Sequence, residues 1–173
     1  MDALRDEEAD QDDGEQIEQF LTFQLKGELF GIGILNIREI VEYGNVTRVP
    51  LMPEFIGGVI NLRGSVVPVI NLAKRFQFES SKISKKTSVI VIELPDEDGV
   101  MEVGIIVDMV NEVLELGQDQ LSTAPSFGTK IRADFIKYMG QRQDGSIIIL
   151  LEVKNVLSIG ELSTLKQIRE NAS

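Results

Sequence analysis

The chain of 173 residues contains neither cysteine nor histidine. Without cysteine there is no disulfide, no thiolate metal ligand and no thiol nucleophile. Without histidine the commonest metal ligand and the commonest general base at neutral pH are gone as well. Long hydrophobic runs are also missing, and no stretch approaches the roughly 20 apolar residues that a membrane-spanning helix needs. The amino terminus is acidic where a secretory signal would be basic and then apolar, so a cytoplasmic protein without membrane insertion is expected. Asn45-Val-Thr47 resembles a glycosylation sequon, but that modification requires the secretory route.

Positive charge is in short supply: the net charge is −11. Most of the excess lies at one end. Residues 1–19 hold nine acids against Arg5, which leaves 19 acids and 16 bases from Phe20 onward. A stretch so charged cannot bury enough apolar surface to order itself, so 1–19 is expected to be a disordered acidic tail. The remainder is 20–168, and the overall hydrophobic content of 43% is enough for a real core.

The stretch Phe55-Ile-Gly-Gly-Val-Ile-Asn-Leu-Arg-Gly-Ser-Val-Val-Pro-Val-Ile-Asn-Leu72 reads as two strands around a tight corner. Gly64 supplies the positive φ that such a corner needs, and Arg63 is pushed to the exposed tip. Pro68 cannot donate a ladder hydrogen bond, which predicts an edge position or a bulge for the second strand. Upstream, Phe20–Leu25 and Leu29–Ile34 form a hairpin across Lys26-Gly-Glu28, and Leu35–Tyr43 favours extended chain. Asn71–Phe76 suits a helical turn or two, and Gln77–Lys86 a polar loop. A second hairpin, Ser88–Leu94 and Val100–Val107, turns at Pro95–Gly99.

The halves repeat. Phe30–Tyr43 aligns without a gap on Val103–Leu116, matching Gly31 to Gly104 and Glu39 to Glu112. Arg63-Gly-Ser-Val-Val67 corresponds to Asp144-Gly-Ser-Ile-Ile148 after one extra residue. Two copies of one all-β unit, each of about five short strands, are best closed as barrels, approximately 20–80 and 88–153. At the carboxyl end Ser158-Ile-Gly-Glu161 has capping-box spacing, and Leu162, Leu165 and Ile168 recur with helical period, predicting an amphipathic helix over 155–170.

Other motifs have plainer explanations. Gly31-Ile-Gly33 lacks the third glycine of a nucleotide fingerprint and suits packing inside a barrel. Asp96-Glu-Asp-Gly99 lacks the ligand spacing of a calcium loop. Lys74, Arg75, Lys82, Lys85 and Lys86 form a basic patch without stacking aromatics, which disfavours nucleic acid. A carboxylate-pair hydrolase is the sharpest enzymatic alternative, but nothing marks a buried pair, and no enzyme is expected.

Phe55-Ile-Gly-Gly-Val-Ile-Asn-Leu-Arg-Gly64, Val67-Pro-Val-Ile-Asn-Leu72, Ile37-Arg-Glu-Ile40 and Ala124-Pro-Ser-Phe127 together resemble the CheW-like family, over about Phe20 to Ile168. Asn71 departs from the family's more frequent Asp without touching the Arg63 corner. The resemblance implies two intertwined SH3-like β-barrels with partly exchanged strands, no cofactor and no catalysis. It implies an adaptor between the cytoplasmic hairpin tips of chemoreceptors and the regulatory domain of the histidine kinase CheA, recruited to membrane-associated arrays. By motif, receptor binding would fall to Ile37, Glu39, Gly58, Arg63 and Val113, lining a groove between barrels, and kinase binding to Phe127. Weak self-association of the free protein fits this picture. A paralogue serving pili or another output would carry the same residues.

Overall fold

The computed structural model describes residues 16–44, 46–124 and 129–172. Among them, eleven strands form two curled sheets. One sheet takes β1 (Ile17–Leu25), β2 (Glu28–Gly33), β8 (Met109–Gly117), β9 (Leu121–Ser122), β10 (Ile136–Gln141) and β11 (Ile147–Leu151), in the order β8-β1-β2-β11-β10-β9. The other takes β3 (Ile37–Glu42), β4 (Ile56–Leu62), β5 (Ser65–Asn71), β6 (Ser88–Asp96) and β7 (Gly99–Val107), in the order β3-β6-β7-β5-β4. Neither sheet is a contiguous half of the chain. The duplicated segment is the crossover itself: β2–β3 carries the chain from the first sheet to the second, and β7–β8 carries it back.

The two sheets are built alike. Each has an antiparallel hairpin joined to a parallel neighbour, Leu150 opposite Gly31 in one and Val69 opposite Gly104 in the other. A Cβ on Gly31 would lie 2.7 Å from Leu150 Cδ2, and one on Gly104 would lie 2.6 Å from Val89 Cγ1. Small residues are therefore required where the barrel walls curl. Each sheet encloses its own apolar cluster, Phe20, Leu116, Ile148 and Leu150 in one, and Ile60, Val67, Val69, Val89 and Val91 in the other. A larger cluster lies between them. There Phe23 and Phe30 stack at 5.7 Å, Phe30 meets Phe76 at 5.6 Å, and Phe76 meets Phe135 at 5.3 Å, so the barrels share one core.

Several expectations need correction. β1 starts at Ile17 and pairs with Gly117 of β8, so the last residues of the stretch read as tail belong to the sheet. Alternation was masked there by the acids around it. β5 is an internal strand, and β4 is the edge. Pro68 is tolerated because the parallel ladder to β7 begins only at Val69. The first barrel has six strands, not five, because the two-residue β9 adds to β10. The second hairpin turns over two residues, with Asp96 paired to Gly99.

Asn71 caps the short helix α1 (Leu72–Arg75), accepting from Lys74 N at 3.2 Å as an aspartate would, and its amide donates to Ser80 Oγ at 3.2 Å. The carboxyl-terminal helix α2 runs Ile159–Ala172, starting where the capping box places it and later than the expected 155, because Val153–Asn155 forms a separate 3-10 turn. Ser158 and Glu161 exchange the reciprocal capping bonds, at 2.7 and 3.1 Å. Leu165 and Ile168 are buried against the shared core. Glu161 also receives both guanidinium ends of Arg75 at 3.0 Å, while Arg75 Nε donates to Val156 O at 2.6 Å. No helix among the described residues is long and apolar enough to cross a membrane.

Candidate functional site

The β4–β5 hairpin places the most distinctive side chain of the chain. Leu62 pairs with Ser65, leaving Arg63 (φ 52°) and Gly64 (φ 88°) as a two-residue loop with both centres left-handed. That is the geometry of a type I′ turn, whose twist matches the strands it joins. Asn61 Oδ1 accepts from Gly64 N at 2.9 Å and holds the corner. Sequence reading assigned the positive φ to Gly64 alone. Arg63 shares it, and its side chain is thereby thrown clear of both strands.

The guanidinium does not hang free. It crosses to β3 and makes two hydrogen bonds to the Glu39 carboxylate, one of them at 3.2 Å. The bond and charge of Glu39 raise the Arg63 pKa further, so the group is cationic at any relevant pH. The bridge ties the β4–β5 turn to β3, the opposite edge of the same sheet. Arg38, beside Glu39, turns instead to Glu102 at 3.1 Å.

The remaining expected residues divide. Ile37 begins β3 and packs, half-buried, against the shared core. Val113 is on β8 of the other sheet and is 49% exposed. Gly58 is buried on β4 at a register shift with β5 (φ 141°), and a Cβ there would lie 2.1 Å from Thr47 O. Its place in the fold is steric: it lets the 46–49 segment lie against β4, where Thr47 and Val59 exchange two backbone bonds of 2.8 Å. Phe127 lies outside the described residues.

A second corner escaped sequence reading. Arg142, in the β10–β11 turn, reaches Glu112 on β8 at 3.2 Å. Glu112 was already aligned with Glu39, but the extra residue in the second turn set Asp144, not an arginine, opposite Arg63. The bulge that carries Glu112 is held by Thr22, a buried residue whose Oγ1 donates to Glu112 O at 2.6 Å.

Acid–base chemistry finds little support in these groups. The two carboxylates held below the usual range, Asp98 by Lys166 and Asp144 by Ser146, are surface groups stabilised in their charged form, the reverse of a general acid. An open cavity of about 460 Å³ is lined by Tyr43, Arg48, Lys74, Ser81 and Asp108 among others.

The profile of the CheW-like domain matches residues 19–161. The chemotaxis protein CheW of Klebsiella aerogenes is 35% identical over 154 residues, spanning 89% of this chain and 90% of that protein. The CheW of Treponema pallidum is 34% identical over 149 residues, spanning 85% and 86%. The crystal structure of the scaffolding protein TtCheW from Thermoanaerobacter tengcongensis superposes with a TM-score of 0.75 at 31% identity, covering 84% of this chain and 91% of that one. With two fused barrels, an arginine corner and these relatives, the chain belongs to the CheW-like family of chemotaxis scaffolds.

Proposed function

We propose that this protein couples the cytoplasmic hairpin tips of chemoreceptors to the regulatory domain of the histidine kinase CheA, working in the cytoplasm at receptor arrays and transmitting signal by contact geometry. The observation that carries the reading is the Arg63 corner: a cation projected from a rigid I′ turn and oriented by Glu39 of β3, the strand whose first residue, Ile37, packs against the core between the barrels. A helical hairpin needs a receiver with an apolar seam and a few oriented charges. Ile37 and Val113 offer the apolar part, and Arg63 and Glu39 the charge. Gly58 contributes indirectly, by letting β4 and its turn sit where they do.

Titration of the purified protein with a receptor cytoplasmic hairpin, and separately with a CheA regulatory domain, tests this. Arg63→Asp reverses the charge at an exposed tip, so the thermal melt stays near wild type while receptor affinity falls about tenfold, roughly 1.4 kcal/mol, and kinase affinity holds. Failure of the wild type to bind either one of the partners refutes the coupling role.

A further inference from the structure

The duplicated chain carries the Arg–Glu corner twice. Glu39 leaves β3 two residues after Ile37, and Glu112 leaves β8 two residues after Val110. Ile37 and Val110 both pack on the core shared by the barrels, so the two carboxylates depart from the seam at matching points. The next residues along, Ile40 and Val113, are both exposed hydrophobics. Each carboxylate is met by an arginine from a hairpin turn of its own sheet, Arg63 or Arg142. Val113, the neighbour of Glu112 on β8, belongs to the receptor surface proposed above, which sets the second corner beside that surface.

The corners match in backbone and differ in the charge they present. In the first, the Arg63 side chain is 71% exposed and Glu39 22%. In the second the order inverts: Arg142 is 33% exposed and Glu112 62%. A docking partner therefore meets a cation at one corner and an anion at the other. This difference breaks a symmetry that would otherwise be harmful. The arms of a helical hairpin run antiparallel, so a receiver with near-twofold symmetry could accept it in two orientations. Opposite charges leave one, because the reversed orientation brings like charges together at both corners.

We infer that Glu112, held by Arg142, is the anionic half of a charge-polarised receiver. It selects receptor hairpins that present an acid toward Arg63 and a base toward Glu112, and it fixes their orientation. The inference rests on the receptor reading above.

The decisive variant is the double exchange Glu112→Arg with Arg142→Glu, which keeps an ion pair and reverses the sign offered. It is compared with wild type and Arg63→Asp by thermal melting and by titration with the receptor hairpin and the CheA regulatory domain. An unchanged melt, a receptor affinity about tenfold weaker and an unchanged kinase affinity are the expected results. Receptor affinity within about twofold of wild type, while Arg63→Asp still weakens it, overturns the inference and leaves the coupling role standing. If the wild type does not bind the hairpin, the coupling role fails and the inference with it. Should the exchange unfold the protein, Glu112→Gln serves instead. It weakens receptor binding about threefold and flattens the dependence on salt, and equality with wild type in both overturns the proposal.

Discussion

Gly58 is expected to be intolerant of any side chain for a reason unrelated to partner contact. In Gly58→Ala the new Cβ would sit 2.1 Å from Thr47 O and 2.8 Å from Thr47 C, at a φ of 141°. The residue is buried in β4, so the clash cannot be relieved toward solvent. Either the backbone keeps its place with strain of about 1–3 kcal/mol, or the Thr47 segment peels away. Peeling sacrifices the two backbone bonds between Thr47 and Val59, worth about 0.5–1.5 kcal/mol each. Since neither route fully avoids the other, the loss should be about 2–6 kcal/mol, large for a single methyl group. Gly64→Ala is the control, because it also has positive φ, 88°, but nothing lies within 4 Å of the added Cβ. It should cost only about 1–2 kcal/mol. Urea unfolding of the two variants beside wild type measures both. A Gly58→Ala protein that unfolds within about 1 kcal/mol of wild type and still loses receptor affinity would refute the steric argument and return Gly58 to the contact surface.

Arg75→Met should cost about 2–3 kcal/mol, because it leaves Val156 O without its donor and Glu161 without its cation in a largely desolvated place between Phe55 and Phe135. Amide exchange should accelerate in α2 before the strands are affected. Acid should loosen the same helix. Asp98 has a lowered pKa in the folded protein, chiefly through its hydrogen bond with Lys166 of α2 and then through that charge. The unfolded state therefore binds the proton more readily, so the tether's contribution is complete above the ordinary carboxylate pKa of about 3.9 and is lost as pH falls through the lower folded value. The protection of α2 amides, taken relative to intrinsic exchange at each pH, should fall at the acid end between pH 6 and 3 in wild type, and Asp98→Asn should already show the lower protection at pH 6.

Short-range chemistry was legible in the chain itself. The tight corner followed from Gly64 between β-branched runs, though not the left-handed Arg63 that makes it type I′, and the capping box from Ser158 and Glu161. The duplication followed from the gapless match of Phe30–Tyr43 to Val103–Leu116, though not that these segments cross from sheet to sheet. Each depends on residues a few positions apart, where turn geometry and periodicity act directly. Motif resemblance added the candidate receptor residues, though not what each does in the fold.

Only the tertiary structure decided which strands meet. Sequence periodicity tells a strand which face to bury, but its neighbours are chosen by contacts distant along the chain, and these put β1 and β2 in the sheet of β8–β11 and made β5 internal. The same long-range pairing brought Glu39 to Arg63 and Glu112 to Arg142, set which member of each pair faces solvent, and buried Gly58 beneath Thr47. Residue identity and spacing thus determined the parts of this scaffold, while the way the two repeats wrap around a common core determined which charges it holds out to a partner.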